Sequence, residues 1–176
     1  MLKKFIAILI ALICLFSLNG CKHITELNSI EKVTDVYYDN ETMLQNAVDA
    51  LLSMDNPVIP MYINPVARGS VHYYPECEIG NLRFDGDASN DGIFKSDCQM
   101  LYETVAPLFE ELNIWGIRVY RDEITFVLEY KEGFAAELFY VYDENSSFST
   151  SRFIKSEFQI DDHWYAVKTH DPDQSP

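Results

Sequence analysis

Between Ile117 and Tyr142 apolar residues recur at every second position in three successive runs, and that rhythm restricts the chain more than any other feature it has. Ile117 and Val119 alternate with Arg118 and Tyr120, and Ile124, Phe126, Leu128 and Tyr130 alternate with Thr125, Val127 and Glu129. After Lys131-Glu132-Gly133 the series resumes at Phe134, Ala136, Leu138, Tyr140 and Tyr142. Successive side chains of a strand point to opposite faces, so a run of this kind buries one face of an antiparallel sheet. Two further strands are expected from Arg152 to Ile160 and from His163 to Thr169, joined by a tight turn at Asp161-Asp162. Short turns favour pairing of consecutive strands, which predicts a C-terminal meander of about four to five strands.

One buried face needs a cover, and the preceding sequence supplies it. Leu44, Ala47, Val48, Leu51 and Leu52 fall at three- and four-residue steps, with Asp39 or Asn40 placed to cap the start and Asn56-Pro57 to end the helix. A second stripe, Leu101, Val105, Leu108 and Leu112, follows Ser96 and Gln99, the two polar members of a capping box. Pro107 lies within it and predicts a kink or break near Thr104. Two amphipathic helices packed on the meander give an α+β fold. The arrangement is that of a helix on a curved sheet, as in cystatin-like or NTF2-like rolls. No residue motif of either family is present, and fold alone transfers no function.

The N-terminus is of another character. Lys3 and Lys4 precede an apolar run from Phe5 to Leu18, which ends in Leu18-Asn19-Gly20-Cys21. The run is shorter than the roughly 20 residues a bilayer span requires, and it has the layout of an export signal. The quartet resembles the lipobox of bacterial lipoproteins. That resemblance covers residues 1–21 and implies cleavage before Cys21 and acylation of its thiol and new amino group, with palmitate among the acyl chains. It also implies membrane attachment outside the cytoplasm. Lys22 is not the aspartate associated with inner-membrane retention, so in a two-membrane bacterium the outer membrane is implied. The expected organisation is a signal peptide at 1–20, a lipidated cysteine and tether at 21–36, one α+β domain at 37–170 and a disordered tail at 171–176.

Charge narrows the list of partners. Removing the signal takes two of the 13 basic residues and none of the 28 acidic ones, leaving a formal charge of −17. Nucleic acid and anionic lipid headgroups should repel such a domain. There is also no Gly-rich phosphate loop among only seven glycines. Once Cys14 leaves with the signal and Cys21 is acylated, Cys77 and Cys98 remain as a pair in an oxidising compartment, which favours a disulfide. Two separate buried thiols or a metal pair are the alternatives. The spacing is not that of paired zinc ligands.

The middle segment, Asn56 to Gly92, carries Pro57, Pro60, Pro65 and Pro75 and the aromatic cluster His72, Tyr73 and Tyr74. Short strands and long loops are expected there, and Tyr73 and Tyr74 are the candidate partner-binding residues. Asp87, Ser89 and Asp91 occupy alternate positions ahead of Gly92, as in the first half of a calcium-binding loop, but Cys98 stands where the closing glutamate belongs. A solvated turn is the simpler account. His163 and His170, seven residues apart on one strand, face opposite sides and make a poor metal pair. Trp115 is expected to plug the end of the helix–sheet packing. No serine has a nucleophile-elbow setting, and the acidic residues cannot be paired across a cleft from sequence alone.

The expected function is therefore a lipid-anchored, extracytoplasmic binding module for a protein, peptide or envelope component, with no cofactor. Two alternatives stand beside it: an envelope hydrolase with acidic cleft residues, and a calcium-dependent binder. They are separable by whether the fold is filled by Phe and Leu or encloses convergent carboxylates.

Overall fold

A computed structural model describes residues 27, 29–54, 61–68, 76–86, 91–120, 123–131, 134–142 and 154–170. Helix α1 spans Ile30–Leu52 and α2 spans Asp91–Glu111. The strands are β1 Met61–Pro65, β2 Glu76–Ile79, β3 Leu82–Gly86, β4 Gly116–Val119, β5 Glu123–Lys131, β6 Phe134–Val141, β7 Ile154–Gln159 and β8 Trp164–His170. They form one antiparallel sheet in the order β2-β3-β1-β4-β5-β6-β8-β7.

This corrects the expected meander of four to five C-terminal strands. The Pro-rich middle segment adds three strands to the sheet, and β8 lies between β6 and β7. Each change has a local cause. Pro65 ends β1 instead of interrupting it, a tolerated place for a residue that cannot donate to a ladder. Gly80, at φ +60°, and Asn81 close the β2–β3 hairpin between the paired residues Ile79 and Leu82, and glycine accepts that backbone without Cβ strain. Any side chain at Gly80 would also collide with the Tyr102 ring of α2. At the other edge, the tight turn before Trp164 forces only β7 and β8 to be neighbours. The longer segment between β6 and β7 leaves β6 to pair with β8.

The first helix begins earlier than its apolar stripe suggests. Ser29 caps it, its Oγ accepting from the Lys32 amide at 3.4 Å, so residues 30–36 of the expected tether are helical. Asn40, an expected cap, is instead a kink at φ −135° and ψ 18°. Its side-chain amide donates to the Val36 carbonyl at 2.8 Å. The second helix runs through Pro107 without a break and starts at Asp91, ahead of Ser96.

Both helices cover one face of the sheet. Register places Cys77, Phe84, Ile63, Ile117, Phe126, Leu138, Ala166 and Phe158 side by side, one residue per strand across all eight strands. All but Phe158 on the edge are buried. Val33, Tyr37, Leu44, Val48 and Leu51 of α1 pack on this row together with Cys98, Leu101, Val105 and Leu108 of α2. Trp164 stitches the layers together. Its ring lies 5.7 Å from Phe126, 5.1 Å from Tyr37 and 5.3 Å from Tyr140, and its indole N–H donates to Gln45 Oε1 at 3.2 Å. Each such buried aromatic contributes about 1.5–3 kcal/mol through apolar area alone.

Candidate functional site

The opposite face of the sheet carries the polar chemistry. There the cross-strand row reads Glu76, Asp85, Tyr62, Arg118, Thr125, Phe139, Tyr165 and Gln159. Glu137 sits one row away on β6, between Val127 and Val167. Arg118 reaches across β5, and its Nη1 donates to Glu137 Oε1 at 3.4 Å. The Thr169 hydroxyl donates to the other carboxylate oxygen at 3.3 Å. The Glu137 side chain is 2% exposed and that of Arg118 is 34% exposed. A carboxylate at this depth is tolerable because a cation and a hydroxyl hold it.

Asp85 and Glu137 are the buried carboxylates among the described residues. They stand on β3 and β6, four strand steps apart in the order β3-β1-β4-β5-β6. At about 4.8 Å per step that is roughly 19 Å along the sheet. A two-carboxylate hydrolase holds its pair about 5–9.5 Å apart, so these two cannot serve as acid and base at one bond. Glu137 is in any case engaged by Arg118 and Thr169.

Cys77 and Cys98, expected as a disulfide, are neighbours and stand as two buried thiols in the structure. Strand β2 turns Cys77 toward the helices, α2 lays Cys98 over it, and the two thiols share a hydrogen bond. Burial, chiefly, and then the neighbouring Cys77 and the Asp97 charge push the Cys98 thiol far above its ordinary value. A thiol so protonated is a poor nucleophile and a poor metal ligand. Among the described residues no group of three or more His, Cys, Asp or Glu side chains is placed to hold a metal.

Of the other residues singled out from sequence, Cys21, Tyr73, Tyr74, Asp87 and Ser89 lie outside the described residues. Asp91 and Gly92 are the first two residues of α2, whereas the loop reading needs a sharp turn at Gly92. His163 is taken up by the β7–β8 turn. Its Nδ1 lies 2.9 Å from the Val141 carbonyl and its ring stacks on Tyr140 at 5.4 Å. In the same turn Asp161 Oδ1 accepts from the His163 and Trp164 amides, both at 2.8 Å, while Oδ2 accepts from the Tyr37 hydroxyl at 3.1 Å. This part of the chain is structural.

One further cluster was not foreseen. Trp115 is 40% exposed and does not plug the core; Ile114, 1% exposed, takes that place. Asn113, at φ +51°, turns the chain just ahead of them, and the Trp115 amide donates to the Val127 carbonyl at 2.6 Å. The Trp115 ring then lies 5.8 Å from that of Tyr130, with the planes tilted by 34°. The residue before Tyr130, Glu129, accepts the Leu27 amide at 2.8 Å. The entry of the chain into the domain is thus fastened next to an exposed tryptophan and the half-buried tyrosine beside it. Exposure of Trp115 could not be read from its one-dimensional setting, since Ile114 and Trp115 are equally suited to burial.

Comparison with protein-family models, with curated proteins and with solved structures returned no match. Among the described residues the fold is two helices on one face of an eight-stranded antiparallel sheet.

Proposed function

We propose that this chain is a lipid-anchored, extracytoplasmic binding module of a bacterial cell envelope, held to the membrane through Cys21 and offering its surface to a protein, peptide or envelope component. In a two-membrane bacterium the proposed site is the outer membrane. The address rests on Lys3, Lys4, the apolar run and Leu18-Asn19-Gly20-Cys21. Binding in preference to catalysis rests on one observation. The space between helices and sheet is filled by the row from Cys77 to Ala166, while the two buried carboxylates among the described residues stand about 19 Å apart along the sheet.

Two measurements test this reading. Cells fed labelled palmitate should incorporate it into the wild-type chain and not into Cys21→Ala; equal labelling of both would end the anchor reading. Envelope extract passed over the wild type should leave a partner that the Tyr73→Ala, Tyr74→Ala double variant fails to retain. If neither retains anything and the purified protein turns over an envelope polymer or ester, the binding reading is replaced by the hydrolase.

A further inference from the structure

We infer that Trp115 and Tyr130 rest at the headgroup level of the membrane that anchors the chain, forming with Cys21 a two-point attachment that orients the domain. The inference builds on the proposed anchor. Its own evidence is where the chain enters the domain. Leu27 is 4% exposed in the core and its amide is held by Glu129. Cys21 lies six residues earlier. Whatever path those residues take, covalent geometry limits them to about 3.6 Å each, or roughly 22 Å in all. Glu129 is thereby held within about 22 Å of the lipid anchor, and the residue after it is Tyr130.

The chemistry at that end suits a bilayer interface. Trp and Tyr combine an apolar body with a polar tip and gather at the boundary between headgroups and acyl chains. Trp115 offers such a ring at 40% exposure and Tyr130, half-buried, backs it. Glu110 and Glu111, exposed at the end of α2 just before this turn, add negative charge, as does the acidic domain as a whole. Attraction must therefore come from ring burial in a zwitterionic surface, and anionic headgroups should weaken it. Two rings bind a membrane weakly on their own. A short tether makes the contact intramolecular and raises the effective concentration into the millimolar range, so an otherwise negligible affinity becomes persistent occupancy.

The two tryptophans make the test direct, because Trp164 is 2% exposed inside the core and Trp115 is at the surface. Palmitate-labelled full-length protein would be reconstituted into phosphatidylcholine vesicles with plain or brominated acyl chains. Brominated chains should quench part of the tryptophan emission, Trp115→Phe should abolish the quenching, and phosphatidylglycerol should reduce it. Labelled protein whose emission is identical in the two vesicles would overturn the orientation and leave the anchor standing. Absence of label would overturn the anchor and the orientation with it.

Discussion

The Arg118–Glu137 pair should behave as a structural ion pair, and its two members should not be equally costly to lose. At 3.4 Å the gross attraction is about 5 kcal/mol for an effective dielectric constant near 20. Arg118 is one-third solvated, and Thr169 still donates to the carboxylate when the cation is gone. Arg118→Met should therefore cost about 2–3 kcal/mol, below the usual range for breaking a fully buried pair. Glu137→Gln keeps the shape and returns a cation already one-third exposed to water, which should cost about 1 kcal/mol. The double variant Arg118→Met, Glu137→Leu removes both charges and should lie within about 1 kcal/mol of wild type. Urea unfolding at neutral pH, read as midpoint at constant slope, measures all three, and the Arg118→Met loss corresponds to a fall in Tm of roughly 5–10 °C for a domain of this size. The reasoning fails if Glu137→Gln costs more than Arg118→Met, or if the double variant costs the sum of the singles.

Cys77 and Cys98 are reduced in the structure, and export into the oxidising compartment of the proposed function should join them, closing a loop of about 20 residues and stabilising the domain by about 3 kcal/mol; alkylation under denaturing conditions with mass spectrometry of envelope-derived protein should find neither thiol free, and two free thiols there would refute it. Trp164→Ala should cost about 3–5 kcal/mol by emptying the junction of α1, β5 and β6, whereas Tyr38→Ala, on the exposed side of α1, should stay within about 0.5 kcal/mol in the same unfolding assay. Stability should decline as the pH rises above about 9–10. Burial and the bond to Asp161 raise the Tyr37 phenol, and burial raises Tyr140 and, in the reduced protein, Cys98, so the unfolded chain loses these protons first and is favoured in alkali. Tyr37→Phe should make the decline of Tm with pH shallower, and an unchanged slope would count against this account.

Local periodicity carried a good part of the fold. The alternation from Ile117 to Tyr142 marks β4, β5 and β6 because a strand's two faces are written in every second residue. The stripe from Leu44 to Leu52 marks the second half of α1 in the same way, at helical spacing. Asp161 marks the β7–β8 turn because its carboxylate serves the amides two and three residues on. The first half of α1 was hidden by its polar exposed side, which resembles a tether until Ser29 and the packing of Val33 and Tyr37 are seen. Strands β1 to β3, four or five residues each, set only two or three residues on either face, too few for a period to be visible. They become recognisable only where Cys77, Phe84 and Ile63 extend a row begun by Ile117 and Phe126. The place of β8 between β6 and β7, the reach of Arg118 over β5 to Glu137 and the exposure of Trp115 beside the chain's entry are decided by tertiary structure. They depend on which distant segments meet, whereas hydrophobic period reports only which way a residue faces within its own element.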